Sequence, residues 1–229
     1  MTAVRIPLAK AMVGRKLGMT QRFGESGSSL PVTVIQILPC AIMRVTREDG
    51  AGGVVRMAFE PLDEKKAEKN LAKPQLGEFR KAGLEPHRQI CEFRLADVSS
   101  YEVGQKLSAS VFEAGRQVQV TGISKGRGFT GTVKRYGFSR GPMSHGSMSH
   151  RRPASGGATD PARVVKGTGK PGRMGAARVT VKGLEVVGVD ADRGILMVSG
   201  SVPGPSGGLV VIAEPVQPAK GRRGVKVIS

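Results

Sequence analysis

The segment GPMSHGSMSH, residues 141–150, concentrates side chains that could carry out chemistry. His145 and His150 lie among three serines and two methionines, and the segment contains no Ile, Leu or Val. A serine nucleophile needs a histidine base that a third group orients within a rigid site. The one carboxylate between residues 121 and 182 is Asp160, and nothing nearby supplies a rigid surrounding. We therefore predict no catalytic residue here.

A metal site and a nucleotide-binding loop are also poorly supported. His145 and His150 are five residues apart, and no Cys lies within fifty residues of either. Two histidines alone cannot complete a tetrahedral zinc site. The run KGTGKPG at 166–172 resembles a phosphate-binding loop, but Val164 occupies the position of its first Gly, and Pro171 stands where Ser or Thr is required. The sequence thus predicts no metal and no cofactor.

Basic residues dominate the chain and are concentrated in its centre. The chain has 36 Lys and Arg against 18 Asp and Glu, a formal net charge of +18. Residues 23–120 hold 13 of each sign, whereas residues 121–182 hold 13 basic residues and one acidic residue. Such a localised excess favours a polyanionic partner. No apolar run approaches the length that crosses a bilayer, so no membrane partner is expected.

The same central segment is rich in glycine and poor in side chains that build a core. Residues 121–182 contain 13 glycines, and residues 134–163 contain no Ile, Leu or Val. Ordering such residues costs more conformational entropy than their few apolar side chains can offset by burial. The segment is therefore not expected to fold as an independent domain. A flexible, solvated cationic loop without a ligand is the alternative to a binding segment.

The residue types of this segment suit the binding of RNA. Glycine lets the backbone approach a phosphate, Ser and His donate hydrogen bonds to phosphate or 2′-hydroxyl oxygens, and Arg presents a planar fork to phosphates or base faces. Three aromatic rings could stack on unpaired bases. The candidate RNA-binding residues are Lys125, Arg127, Phe129, Lys134, Arg135, Tyr136, Phe138, Arg140, Ser144, His145, Ser149, His150, Arg151, Arg152, Arg163, Lys166, Lys170, Arg173 and Arg178.

Short β-strands are predicted on both sides of the central segment. Branched or alternating apolar runs occupy residues 31–38, 54–60, 88–95, 118–122, 178–190, 194–200 and 208–214. Turns that contain Gly or Pro separate them. Charged helices are predicted over 63–74 and 76–83, the second ended by Gly83. The predicted fold class is mainly β with short helices (α+β), built on a closed or nearly closed barrel that the C-terminal third completes.

Cysteine usage and the chain ends add two expectations. Cys40 and Cys91 belong to no C-x-x-C pair, so two reduced and mostly buried thiols are expected. Residues 1–12 are basic and contain no acidic residue, which predicts a basic arm. An organellar transit peptide is the alternative, although Pro7 would interrupt its helix. Residues 216–229 are predicted to form a flexible basic tail.

Five stretches of the chain are collinear with one known family. They are VGRKLGMTQRF (13–23), LPVTVIQILPC (30–40), KPQLGEFRKAG (73–83), TGISKGRGFTGTVKRYGFSRGPMSHGSMSHRRP (121–153) and PGRMGAARVTVKGLEVVGVDADRGILMVSGSVPGPSGGLVVI (171–212). In this order they resemble large-subunit ribosomal protein three, "L three", in its bacterial and organellar branch.

The resemblance implies a translation-protein-type β-barrel body, residues 13–123 and 176–215, and a long irregular central loop, residues 124–175. That loop would thread through ribosomal RNA toward the peptidyl-transferase centre. The implied function is that of a structural constituent of the large ribosomal subunit that supports subunit assembly. The implied partners are large-subunit ribosomal RNA and neighbouring ribosomal proteins, with no small-molecule substrate. The implied location is the ribosome, in the bacterial cytoplasm or in a plastid or mitochondrion.

The chain departs from the family pattern within the loop. Tyr136 and Gly137 stand where a Trp-Asn pair is common, and residues 153–157 replace the usual P-G-S-I-G. A glutamine that some bacterial members methylate has no counterpart in residues 157–159, so its methylation is not expected. Two other functions would share the charge: a free nucleic-acid chaperone or DNA-architectural protein, and an RNA-modifying enzyme. The first needs no neutral barrel beside the loop, and the second needs a cofactor pocket.

Overall fold

The computed structural model describes residues 8–24, 27–47 and 52–216. In this part of the chain β-strands predominate, as predicted. The strands are β1 (Leu8–Phe23), β2 (Ser29–Ile37), β3 (Cys40–Arg47), β4 (Gly53–Pro61), β5 (His87–Leu95), β6 (Lys106–Leu107), β7 (Gln117–Ile123), β8 (Phe129–Thr130), β9 (Gly172–Arg173), β10 (Arg178–Asp190), β11 (Ile195–Ser199) and β12 (Leu209–Pro215). The helices are α1 (Glu64–Asn70), α2 (Lys73–Ala82) and α3 (Thr132–Tyr136), with a 3-10 turn at Ala109–Val111.

Six strands close into a barrel. The order around the ring is β1, β2, β11, β10, β7 and β12, and β12 pairs back with β1. Every pair in this ring is antiparallel. Because the ring is closed, each strand has a hydrogen-bonded neighbour on both sides. Three of the six strands come from the last third of the chain. The prediction of a barrel that the C-terminal third completes is therefore confirmed.

The same sheet extends beyond the barrel from β1, in the order β5, β4, β3 and β6. It joins β1 through a parallel pairing of Leu8 with Leu95. The residues of β1 from Ala11 to Gly14 are buried consecutively, which is typical of a strand covered on both faces. One apolar core contains side chains from the barrel strands and from the strands that extend beyond β1. It includes Met12, Ile35 and Met57.

Strand β1 begins at Leu8, within the predicted basic arm. The sequence predicts a basic arm over residues 1–12, but residues 8–12 are part of β1, where Leu8, Ala11 and Met12 are buried. Basic residues and glycines interrupt the apolar pattern of this strand, so its sequence resembles an arm more than a strand. Residues 1–7 of the predicted arm and residues 217–229 of the predicted tail lie outside the described residues.

The two predicted helices form, but the first predicted range is wrong. The prediction of 63–74 fails after Asn70, because Leu71 is extended and a new helix begins at Lys73. Pro74 has no amide hydrogen to donate, and a proline fits the first turn of a helix better than its interior. Gly83 ends α2 as predicted, in a left-handed conformation with φ of 65°. Phe79 of α2 is buried against Met43 and Ala58.

The described chain divides into two compact units. The first, which we call the body, contains the described residues up to Ile123 and from Arg178 onward. The second, which we call the insert, is Ser124–Ala177. In the body, β7 and β10 pair up to Ile123 and Arg178, which are the residues that precede and follow the insert in sequence.

Candidate nucleic-acid interface

The two ends of the insert run side by side. The Ser124 amide donates to the Ala177 carbonyl at 2.9 Å, and the Arg127 amide donates to the Met174 carbonyl at 2.9 Å. Farther along, β8 pairs with β9 in antiparallel register. Gly175 has a φ of 74°, and a Cβ there would overlap the Lys125 carbonyl. The insert therefore begins and ends as a hydrogen-bonded two-stranded segment, and glycine allows its two chains to approach closely.

Two of the predicted stacking rings contact each other within the insert, although Tyr136 is 49% exposed and Phe138 is 42% exposed. Helix α3 ends at Gly137, whose φ is 71°, and the centroids of the Tyr136 and Phe138 rings that flank it lie 5.9 Å apart. Both rings cover Gly169. A Cβ at that position would come within 3.0 Å of an atom of each ring. These rings therefore help to hold the insert together.

Arg135 is also engaged within the insert. Its Nη1 donates to the Lys170 carbonyl at 2.8 Å, and its guanidinium carbon lies 5.0 Å from the centroid of the Tyr136 ring. The guanidinium lies directly against Gly172, and a Cβ there would require it to shift. Arg135 thus links α3 to the returning chain, across 35 residues of sequence.

The GPMSHGSMSH segment forms a closed loop. The Gly141 amide donates to the His150 carbonyl at 3.0 Å, and Nδ1 of His150 donates to the Pro142 carbonyl at 2.9 Å. Between these ends, His145 and Gly146 have φ of 58° and 70°, so the chain reverses there. Ser144, His145 and Ser149 are exposed, and Met148 is 92% exposed. The loop therefore displays its polar groups and its methionines to the outside.

Residues 151–168 are ordered by local turns. The Ser155 hydroxyl donates to the Gly157 carbonyl at 2.9 Å, and the Ala162 amide donates to the Thr159 carbonyl at 3.0 Å. The Thr168 hydroxyl donates to the Val165 carbonyl at 2.9 Å. The basic residues of this stretch, Arg151, Arg152, Arg163 and Lys166, are all exposed.

The charge of the insert is uncompensated. It contains eleven basic residues and one acidic residue, Asp160. No basic side chain of the insert pairs with a carboxylate among the described residues, whereas the body contains ion pairs such as Arg56–Glu78 and Lys66–Asp63. Cationic groups held this close together repel one another, and a polyanion would relieve that repulsion.

The candidate residues do not converge on one centre. Of the 19 predicted residues, Arg135 and His150 are half-buried and the other 17 are exposed. Arg178 lies in β10 of the body, and the others lie in the insert. The structure joins Arg135, Tyr136 and Phe138 to the chain at 169–172, and it sets Phe129 opposite Arg173 in the β8–β9 pair. The remaining cations are distributed along the insert, as suits contacts with a long polyanion.

Four glycines with a structural role were not among the predicted residues. They are Gly141, Gly169, Gly172 and Gly175, and at each of them a Cβ would meet another part of the insert. No sequence signal distinguishes them from Gly131, which has open space around it. The atoms that each of these glycines approaches belong to residues that are not adjacent in sequence, so the contacts could not be predicted from the sequence.

Neither a metal cluster nor a membrane span is found in the described part of the chain. No three His, Cys, Asp or Glu side chains of residues 8–24, 27–47 and 52–216 come together as a metal site. Among the same residues, no helix has the length and hydrophobicity needed to cross a bilayer.

Comparison with known proteins gives consistent matches. The family model described as ribosomal protein L3 matches residues 51–194. The large ribosomal subunit protein uL3 of Geobacillus kaustophilus is 47% identical over 214 residues, which cover 93% of this chain and 99% of the relative. The uL3 protein of Pelotomaculum thermopropionicum is 48% identical over 208 residues, 90% of this chain and 97% of the relative. That of Carboxydothermus hydrogenoformans is 46% identical over 211 residues, 92% of this chain and 99% of the relative.

Proposed function

Because the chain belongs to the ribosomal protein L3 family, we propose that it is a structural constituent of the large ribosomal subunit and binds large-subunit ribosomal RNA. The observation that carries the proposal is the charge of the insert, with eleven basic residues against one acidic residue and no ion pair to neutralise them in the described chain. Ribosomal RNA carries a negatively charged phosphate in every nucleotide, and these phosphates can neutralise the basic side chains of the insert. In this role the chain performs no reaction and needs no cofactor or small-molecule substrate.

The proposal assigns a part to each region of the chain. The barrel, within residues 13–123 and 176–215 and extended by the first residues of β1, is a preformed body, and most RNA contacts come from the insert. Residues 124–175 pass into the RNA and support the peptidyl-transferase region. The basic residues of segment 216–229 add phosphate contacts. Neighbouring large-subunit proteins are the other partners.

The candidate residues divide into two groups by their surroundings. Exposed cations neutralise phosphates, and Ser144, His145 and Ser149 donate hydrogen bonds to phosphate or ribose oxygens. Arg135, Tyr136, Phe138 and His150 hold the insert in shape, because each is already engaged within it. The proposed phosphate-binding cations are Lys125, Arg127, Lys134, Arg140, Arg151, Arg152, Arg163, Lys166, Lys170, Arg173 and Arg178.

The proposed location is the bacterial ribosome. The relatives described above are bacterial proteins named as parts of the large ribosomal subunit. The sequence left two locations open, the bacterial cytoplasm and an organelle. These relatives support the bacterial cytoplasm.

Reconstitution of the large subunit tests the proposal. Particles assembled from bacterial large-subunit RNA and a protein mixture that lacks this family are supplied with the purified chain. We expect the chain to sediment with the particles and to remain bound when salt rises from about 50 to 200 mM, a change that weakens purely electrostatic binding by roughly 10³- to 10⁵-fold. Particles made without the chain should assemble incompletely.

The same experiment separates the rival functions. A nucleic-acid chaperone would leave the particles as salt rises and would bind DNA and unrelated RNA equally well. An RNA-modifying enzyme would alter the RNA in a form that mass spectrometry detects. Either result would contradict the structural role.

A further inference from the structure

Phe129 is the predicted stacking ring that the insert leaves free. Its side chain is 80% exposed, and no ring or cation–π contact involves it among the described residues. Tyr136 and Phe138, in contrast, pack on each other and on Gly169. The face of the Phe129 ring is therefore accessible to a partner.

Arg173 lies directly opposite Phe129 in the β8–β9 pair. Residues opposite each other in an antiparallel pair direct their side chains to the same face, with Cβ atoms about 4.5 to 5.5 Å apart. Hydrogen bonds on both sides of this pair fix its position: the Met174 amide donates to the Gly128 carbonyl at 2.9 Å, and the Thr130 hydroxyl donates to the Gly172 carbonyl at 3.4 Å. An aromatic face and a guanidinium are thus presented side by side on a hydrogen-bonded support.

We propose that Phe129 and Arg173 form a binding site for one unpaired RNA nucleotide. The base stacks on the Phe129 ring, and the Arg173 guanidinium binds a phosphate of the same strand. The inference rests on the proposed function and refines it, because it assigns a single-stranded element of the RNA to one defined place on the insert. The site accepts any of the four bases, since every base has a face that can stack.

A nucleotide suits this site better than a protein side chain does. A protein surface that covered Phe129 would also desolvate the neighbouring guanidinium and would have to supply a carboxylate for it. An unpaired nucleotide carries an aromatic face and an anion in one unit. The eleven basic residues of the insert also repel the basic surfaces common among nucleic-acid-binding proteins.

Tryptophan fluorescence tests the site directly, because the chain contains no Trp. The variant Phe129→Trp places one fluorophore at the site. We expect its emission to be quenched when the full-length protein binds bacterial large-subunit RNA, and to stay unquenched with a fully paired RNA duplex. The control is Phe23→Trp, at a ring of β1 that is 59% exposed in the body, whose emission should not change with either RNA.

Binding measurements with further variants complete the test. Phe129→Leu should bind large-subunit RNA about 5- to 150-fold more weakly than the wild type, and Phe129→Trp should bind as the wild type does. Arg173→Gln should reduce the slope of log K against log salt by about 0.7 to 0.9, the contribution of one phosphate. Phe23→Leu, the matched control, should bind normally.

Two sets of results with large-subunit RNA, and one result with the paired duplex, would overturn the inference while the proposed function stands. One is salt-dependent RNA binding by Phe129→Trp without quenching. The other is wild-type affinity of Phe129→Leu together with an unchanged salt slope of Arg173→Gln. Equal quenching by the paired duplex would also overturn it. Failure of the wild-type protein itself to bind large-subunit RNA would instead refute the proposed function, so the two failures are distinguishable.

Discussion

At the scale of single residues, the histidines of the GPMSHGSMSH loop have different roles. His145 is exposed at the reversal of the chain, and its φ of 58° places it in a conformation that few residues other than glycine adopt. The ring of His150 closes the loop by donating to the Pro142 carbonyl. The sequence predicts both as RNA-binding donors, and that role stays a prediction: His145, Ser144 and Ser149 are exposed, whereas Nδ1 of His150 is already bonded within the loop.

Gly141→Ala should open this loop. The new Cβ would overlap the Ser149 carbonyl, so the hydrogen bond from residue 141 to the His150 carbonyl should break. Loss of one such bond is worth about 1 kcal/mol, which corresponds to roughly fivefold faster amide exchange at the loop ends. Hydrogen exchange read by NMR measures this directly.

The matched control for that change is Gly126→Ala. A Cβ at Gly126 makes an ordinary contact of 3.7 Å with the Ala176 side chain. Exchange in the loop should therefore stay at its wild-type rate. Equal effects of the two substitutions would mean that the close approach at Gly141 does not close the loop.

The Cys40 thiol should resist alkylation near neutral pH. Burial raises its pKa from 9.0 to about 11, so the thiol stays protonated in the folded protein. The unfolded chain ionises this group at lower pH than the folded chain does. The stability that Cys40 contributes is therefore complete below about pH 9 and is lost as pH rises toward 11.

Mass spectrometry after treatment with iodoacetamide checks this prediction. The half-buried Cys91 should be modified first, although burial raises its pKa as well. Modification of Cys40 should require unfolding in urea. Equal rates for the two thiols in the folded protein would contradict the burial of Cys40.

At the scale of elements, strand β1 shows what the sequence could and could not predict. The strands with alternating or continuous branched residues, such as β2 and β7, were predicted within one or two residues of their observed ends. Strand β1 was not, because Lys10, Arg15 and Lys16 interrupt its apolar residues. The structure accommodates Lys16 by pairing its Nζ with the Val202 carbonyl at 2.7 Å. That partner is 186 residues away, beyond the reach of any local pattern.

Gly14→Ala should destabilise the barrel. A Cβ at Gly14 would lie 2.6 Å from Cγ2 of Ile35 and 2.9 Å from the Gln36 carbonyl oxygen, in the middle of β1. Overpacking of this kind costs about 1 to 3 kcal/mol. Urea unfolding followed by circular dichroism measures the change in the free energy of unfolding.

Gly18→Ala provides the control on the same strand. A Cβ at Gly18 meets no atom within 4 Å. Its free energy of unfolding should stay close to that of the wild type. A loss as large as that of Gly14→Ala would show that the strand tolerates no side chain at either glycine, whatever the space around it.

The interactions within the insert were predictable in part. The exposed cations follow from charge counting and from the absence of carboxylates that could pair with them. The packing of Tyr136 and Phe138 on Gly169 did not follow, because it joins positions more than thirty residues apart through a glycine that the sequence does not mark. RNA stacking by these rings stays a prediction, and Phe129 is the most exposed of the three.

At the scale of the whole molecule, charge and core are separated along the chain. The body contains the large apolar core, and residues 23–120 hold equal numbers of acidic and basic residues. The insert has most of its side chains exposed and carries eleven basic residues. We therefore expect the body to be stable alone and the insert to gain its full rigidity on binding RNA.

Hydrogen exchange with and without RNA tests that difference. In the free protein, amides of the barrel strands should be protected, whereas those of residues 151–168, which have mainly local hydrogen bonds, should exchange rapidly. Binding of large-subunit RNA should slow exchange in residues 151–168 by about tenfold or more and leave the barrel unchanged. Equal protection of the insert in the free protein would contradict coupled ordering.

The salt dependence of RNA binding tests the central claim most directly. Six exposed insert cations that lack ion pairs are replaced by Gln: Lys125, Arg127, Arg151, Arg152, Arg163 and Lys166. The matched control replaces six exposed body cations: Lys65, Lys69, Lys73, Lys81, Arg88 and Lys106. For binding to large-subunit RNA, the insert variant should reduce the slope of log K against log salt by roughly 4 to 5, and the body variant should leave it nearly unchanged. A wild-type slope in the insert variant would contradict the claim that the insert carries the RNA contacts.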